Sequence, residues 1–333
     1  MQSDWQIFIT EQGAIIEEGV VRHFGDFNAE LTATRDRTVL CDLSQFSLLR
    51  VSGPDAESFL QNLLSNDIRE VSNGRAQYSS FNTAKGRMLA SFLIWRDGED
   101  YLLQLPVTLA ESVRKKLSMY VLRAKVKITD VSNEMISLGL SGRQNLLSAT
   151  ELLTVHDLMD ARVISLGESR FQFNIPANQA TALWQQLSTL AKPAGSACWD
   201  WLNVRAGIPV IQPETQEQFV PQMANFDLIG GINFKKGCYP GQEIVARMHY
   251  LGKLKRRMYL AHVDAVARAG EDVYSASLGE QACGMLANAV PSPAGGYDVL
   301  VVMQIESHDT QIIHLGAVQG AVLNFEKLPY PLP

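Results

Sequence analysis

The residues best placed to do chemistry lie together in Lys235-Lys236-Gly237-Cys238-Tyr239-Pro240-Gly241-Gln242-Glu243-Ile244-Val245-Ala246-Arg247. Tyr239-Pro240-Gly241-Gln242 is a turn signal: proline presets one dihedral and glycine accepts a positive one. A short helix is expected to follow, with Ile244, Val245, Met248 and Leu251 inward and Glu243 and Arg247 at i, i+4 in the favourable order. Cys238 then sits before a helix start and two residues after a lysine pair. Both features favour the thiolate, the reactive form of cysteine. Two readings follow: a poised thiol that attacks, is modified or ligates a metal shared with a partner, or a buried cysteine that stabilises a tight turn.

Little else in the chain carries chemistry of its own. Cys41, Cys198 and Cys283 are isolated and no C-x-x-C pair exists, so no local zinc or iron–sulfur motif is present, and these three are expected to be buried free thiols. The six histidines form no nucleophile–base motif, and His249 reads as a surface residue. Neither G-x-G-x-x-G nor a Walker-type phosphate loop occurs.

The net charge of −6 opposes a bulk electrostatic grip on nucleic acid, yet it hides two basic clusters. Arg114, Lys115, Lys116, Arg123, Lys125 and Lys127 give +6 within residues 114–127. Lys235, Lys236, Arg247, Lys253, Lys255, Arg256 and Arg257 against Glu243 give +6 within 235–257, and the rest of the chain carries −18. Such clusters suit an anionic ligand, a local RNA patch or an acidic protein. No apolar run is long enough to span a bilayer and no secretory signal opens the sequence, so a cytoplasmic location is expected.

A chain of 333 residues needs two or three domains. Residues 53–66 read as a helix with Ala56, Phe59, Leu60, Leu63 and Leu64 on one face. Strands are expected at Gln77–Asn82, Met88–Trp95 and Tyr101–Leu105, then a helix over 108–122 burying Leu109, Val113, Leu117, Tyr120 and Val121. Strands at Ile136–Leu140 and Phe171–Ile175 precede helices over 177–190, with Leu183, Trp184, Leu187 and Leu190 as its stripe, and over Trp199–Ala206. Residues 207–233 hold three prolines and three glycines without periodicity, and so long an irregular stretch in a compact protein is usually functional. The last 80 residues are strand-rich, with runs at Arg257–Val263, Asp272–Ser275, Met285–Val290, Tyr297–Ile305 and Ile312–Phe325, as expected of a small antiparallel barrel or sandwich.

Two stretches resemble a known superfamily. LCDLSQFSLLRVSGPDAESFLQNLLSNDI (40–68) resembles the N-terminal signature of the T-proteins, the folate-dependent aminomethyltransferases of glycine cleavage. KGCYPGQEIVAR, preceded by FVPQMANFDLIGGINFK, resembles the YgfZ branch, folate-binding proteins linked to iron–sulfur cluster maturation and tRNA modification. The resemblance implies an α+β fold of three domains in a ring around a folate channel, ending in an antiparallel β-barrel. The domain spans it suggests are 1–135 for an α+β folate-binding domain, 136–250 for a middle domain closing on the KGCYPGQE motif, and 251–333 for the barrel. It further implies Cys238 and Lys236 as working residues within a motif of Lys236, Gly237, Cys238, Tyr239, Gly241, Gln242 and Glu243, with non-covalent tetrahydrofolate or a derivative as cofactor. Phe46 and Trp199 match the family's ring positions for stacking on a pterin, a contact worth about 1 kcal/mol beyond area burial. An iron–sulfur enzyme or assembly protein is the implied client, with tRNA contact not required and no membrane.

The departures from T-proteins bear on the reaction. Where these carry paired aspartates after the hairpin glycine, this chain has Ala90 and Ser91, and neither replaces a carboxylate in proton transfer. Where they carry a pterin-binding glutamate, this chain has Arg205, which offers only donors. A folate-binding accessory factor is therefore the first expectation. A one-carbon transferase acting on a small amine, with chemistry moved to Glu243 or Asp200, and a non-catalytic RNA- or protein-binding module are the alternatives.

Overall fold

The computed structural model describes residues 2–142, 151–158, 160–167, 169–250, 252 and 254–333. The chain forms two compact units, each assembled from separate stretches. The first comprises Met1–Ala56, Arg69–Gln77 and Leu93–Asp200; the second comprises Glu57–Ile68, Tyr78–Phe92 and Trp201–Pro333.

In the first unit a six-stranded sheet runs in the order Val155–Leu158, Ala161–Ser165, Arg170–Pro176, Met135–Ser141, Val39–Asp42, Lys192–Ala194, antiparallel except for its last pair. Phe171, Phe173 and Ile175 share one face of their strand by its two-residue period, and pack with Trp5, Ile9, Leu183, Trp184 and Leu187 in one core, while Gln172 and Asn174 between them are buried as well. The helices Ser3–Glu11 and Ala177–Ser188 supply those last residues, and Trp5 meets Trp184 edge-on at 5.8 Å. Leu190, expected in the stripe, lies beyond the end of its helix and is exposed. The helix expected over 108–122 is Val107–Ser118; it ends one turn early, so Tyr120 is exposed rather than in the core.

In the second unit the helix expected over 53–66 contributes only a short turn of chain, because Ala56–Gln61 is all that is helical. Past it the backbone departs to pair elsewhere: Ser65 N–H donates to the Ser80 carbonyl and the Asn66 side chain to that of Tyr78. The C-terminal strands form one antiparallel sheet in the order Ile313–Leu315, Asp272–Ser275, Ala282–Pro291, Tyr297–Gln304, Arg256–Val263, Asn324–Glu326. It is not the closed barrel expected from sequence. It curls into an open half-barrel, since the run expected over Ile312–Phe325 breaks into two three-residue edge strands around a turn at Gly316 (φ +72°). Strands that short offer too few ladder bonds to close the circuit.

The irregular stretch after Gly207 is held by side chains rather than by ladders. Asn225, itself left-handed at φ +57°, donates to the Met258 carbonyl, and Arg257 grips Asp227 with two bonds of 2.7 and 2.9 Å. No helix among the described residues is long and apolar enough to cross a membrane.

Candidate functional site

Within the K-G-C-Y-P-G-Q-E block, burial alternates sharply. Lys236 and Tyr239 are buried, while Gly237 and Cys238 between them are exposed. The Lys236 ammonium donates to the carbonyls of Gln61 (2.6 Å), Leu64 (2.5 Å) and Asn66 (3.1 Å). Those carbonyls follow a helix end, where backbone acceptors lack intrahelical partners and a cation is favoured. An ammonium has three N–H donors and meets three acceptors here. Its Nζ also lies 5.1 Å from the centre of the Tyr239 ring, within cation–π reach. Burial pushes the Tyr239 phenol well above its ordinary pKa, so it remains protonated. Lys236 and Tyr239 thus anchor the block from below and leave the Cys238 thiol on the outside.

The far side of the block is set by glycine. Gly241 stands at φ +80°, and a Cβ there would lie 2.4 Å from the Gly86 Cα and 2.5 Å from the Thr83 carbonyl oxygen. The helix Gln242–Tyr250 starts at that contact, with Val245 buried and Gln222 donating to the Val245 carbonyl at 2.6 Å. Gln242 reaches back to the Lys236 carbonyl at 3.3 Å. Ile244, expected inward, instead lies 38% exposed where it touches Gly86, and Leu251 lies outside the described residues. Glu243 and Arg247 are both exposed, and no ion pair joins them among the described residues. His249 is exposed as expected and stacks on Phe234 at 3.7 Å.

Ala90 is fully buried, and the Ser91 hydroxyl accepts the Ile211 N–H at 3.0 Å. Arg205 is committed to acids, 2.7 Å from Glu326 and 3.6 Å from Asp298. Asp298 also accepts from Trp201 and pairs with His262 at 2.7 Å. Arg87 donates to the Gln218 carbonyl, and Lys85 is exposed.

Phe46 and Trp199 belong to the first unit. Phe46 is half-buried and lines a cleft of about 100 Å³ with Trp5, Asp42, Ser44, Ser47 and Met135. Trp199 is 1% exposed; a Cβ on Gly139 would lie 2.5 Å from its ring, and the Arg170 guanidinium lies 5.6 Å from the ring centre. The two elements are tied through their neighbours, since Gln45 donates to the Ser196 carbonyl and to Asp200. Burial pushes the Asp200 carboxyl up to about 6, against the Gln45 bond and the Arg22 charge.

Cys41, Cys198 and Cys283 are buried. Burial raises all three thiols, Cys198 to about 12, and removes them from thiolate chemistry. Sequence reasoning passed over a set of buried amides. Gln77 and Asn82 are 6% and 1% exposed, and among the described residues neither carboxamide nitrogen nor oxygen has a hydrogen-bond partner. In the first unit Gln172 donates to Gln104 and to Asn174. A polar residue inside a strand-like run was the available signal, but only coordinates show which amides lack a partner.

Three similarities bear on these sites. Residues 8–160 match the model of the GCVT N-terminal domain. The tRNA-modifying protein YgfZ of Cronobacter sakazakii is 30% identical over 308 residues, covering 88% of this chain and 93% of that protein; its namesake from Escherichia fergusonii is 31% identical over 307 residues. The crystal structure of the glycine cleavage system aminomethyltransferase T from Bartonella henselae superposes with a TM-score of 0.80 at 17% identity, over 99% of this chain and 97% of that one. This last similarity is one of fold.

Proposed function

The chain belongs to the family of the tRNA-modifying protein YgfZ, and from that premise we propose that it supports tRNA modification as a tetrahydrofolate-binding accessory factor for iron–sulfur enzymes. The observation that carries this reading is the exposed Cys238 thiol, held out between a buried Lys236 and a buried Tyr239. A cysteine sulfur is a soft ligand suited to iron, and an exposed one is reachable by a cluster on another protein. Lys236, Gly237, Tyr239, Gly241, Gln242 and Glu243 position it, with Lys236 working through its carbonyl clamp. A tRNA-directed role sets this work in the cytoplasm.

A buried amide fits a folate. A pterin edge offers N–H donors and a carbonyl acceptor side by side, and the Gln77 carboxamide, unpartnered among the described residues, carries the same pair of functions. Gln77 and the Phe46 ring, both of the first unit, are the residues that would hold it, while Trp199 would act from behind Arg170 and Gly139. Folate, when bound, supplies a carrier for one-carbon units. Aminomethyl transfer finds no support at Ala90 and Ser91.

Folate binding is tested by titrating tetrahydrofolate against intrinsic tryptophan fluorescence. Wild type is expected to bind, and Gln77→Leu and Phe46→Ala to weaken binding about tenfold. Cys238→Ala should leave affinity unchanged. A wild-type chain indifferent to folate would remove it from this reading.

A further inference from the structure

The turn that follows the helix Val107–Ser118 carries an apolar tip ringed by cations. Met119, Tyr120 and Leu122 are 74, 43 and 89% exposed. The same stretch of chain carries Arg114, Lys115, Lys116, Arg123, Lys125 and Lys127 and no acid. Glu111 pairs with Arg114 at 2.8 Å and with Lys115 at 3.0 Å. Lys116, Arg123, Lys125 and Lys127 make no ion pair among the described residues.

The tip is a built feature rather than a loose loop. Tyr120 N–H donates to the Leu117 carbonyl at 3.0 Å and Ala124 N–H to that of Val121 at 2.7 Å. At its base Lys125 N–H donates to Asp55 at 2.7 Å, and Gly53 packs so closely that a Cβ there would lie 2.2 Å from the Lys125 carbonyl oxygen. Leu122 is held at φ +45°, in the left-handed region that a leucine adopts only under strain. The fold would be served better at that position by glycine or asparagine, and the leucine side chain is 89% exposed.

We propose that residues 114–127 are a docking tip for an acidic protein surface that offers an apolar socket. Taking the function proposed above as given, that surface belongs to the iron–sulfur enzyme served by Cys238. Charge complementarity picks the sign of the partner, and the aliphatic Met119 and Leu122 pick its kind. RNA could engage the lysines through its phosphates and the Tyr120 ring through a stacked base, but it would leave the aliphatic Met119 and Leu122 in water. A second copy docked tip to tip would set +6 against +6. An anionic bilayer would face the whole molecule, whose remaining residues carry −12.

Binding is measured by calorimetric titration of the full chain with a purified, cluster-loaded tRNA-thiolating enzyme. Dissociation constants are expected to rise about tenfold or more for Leu122→Gly and for the double variant R123E/K125E, and to rise with salt for wild type. Leu122→Gly should melt no lower than wild type, since it relieves strain. The proposal is overturned if either variant binds the enzyme as wild type does, or if wild type does not bind it. It is equally overturned if the tip residues govern binding to phosphatidylglycerol vesicles, tRNA or a second copy of the chain instead. Cys238→Ala separates the two readings: full tRNA thiolation by that variant would sink the function of the thiol, while enzyme binding that still falls with Leu122→Gly and R123E/K125E would leave the docking tip standing.

Discussion

Gly86 and Gly241 meet backbone against backbone: a Cβ on Gly241 would lie 2.4 Å from the Gly86 Cα, and one on Gly86 would lie 3.2 Å from the Gly241 carbonyl oxygen. Both stand at positive φ, at +71° and +80°. The Gly86 hairpin is thereby the seat on which the turn of the KGCYPGQE block rests, and the reactive loop takes its place from that contact.

Gly241→Ala should therefore destabilise strongly, by at least the roughly 1 kcal/mol of a left-handed alanine plus the cost of a backbone clash. Gly237 has no atom near its own missing Cβ and no positive φ. Gly237→Ala should leave the urea midpoint close to that of wild type, and the contrast between the two variants checks the seat.

Lys236→Met removes the ammonium from the clamp and strands carbonyls of Gln61, Leu64 and Asn66. Each stranded acceptor that water does not reach costs about 1–3 kcal/mol, so loss of a few kcal/mol in urea unfolding is expected. A loss of function in this variant would follow from the displaced loop, and its folate affinity and unfolding should be read together.

His262 lies between two acids, Asp298 at 2.7 Å and Asp264 at 3.2 Å. Burial opposes its protonation, but the bonds and charges of Asp298 and Asp264 outweigh this and raise its pKa above 6.5. A folded pKa above the unfolded one means that the stabilisation is complete below pH 6.5 and is lost as pH rises through the folded value. Thermal melts of wild type should fall over this range relative to those of His262→Gln.

Asp200 gives the opposite kind of variant. Its carboxyl, raised by burial to about 6, holds stability that is lost as pH climbs from about 4 through 6. Asp200→Asn should stabilise the protein at pH 7 by about 1–2 kcal/mol, less than the full shift implies because the residue keeps some solvent contact. The gain should vanish at pH 4.

Local patterning made much of the fold legible. Gln77–Asn82 and Asp272–Ser275 coincide with the strands expected, and the Leu183–Trp184–Leu187 stripe is buried as its spacing requires. The misreadings share a cause, which is tertiary override of local pattern. Leu63 and Leu64 continue a helical period, yet Ser65 and Asn66 bond to a distant strand and end the helix. Tyr120 continues another, yet the turn pinned to Asp55 carries it into solvent. At the site, the turn at Pro240-Gly241 followed from residue types, whereas residue types left Cys238 open between a poised and a buried thiol, and the coordinates place it outside. The Lys236 clamp did not, since its acceptors are backbone carbonyls some 170 residues away, which no spacing rule reaches.

The account rests most heavily on the Cys238 thiol, and one comparison reaches it directly. In a strain whose own copy of the gene is deleted, thiolated tRNA bases are measured by mass spectrometry after complementation with wild type or Cys238→Ala. The variant should fold, melt and bind tetrahydrofolate like wild type while leaving thiolation at the level of the deletion. Restoration to the wild-type level by Cys238→Ala would contradict the account.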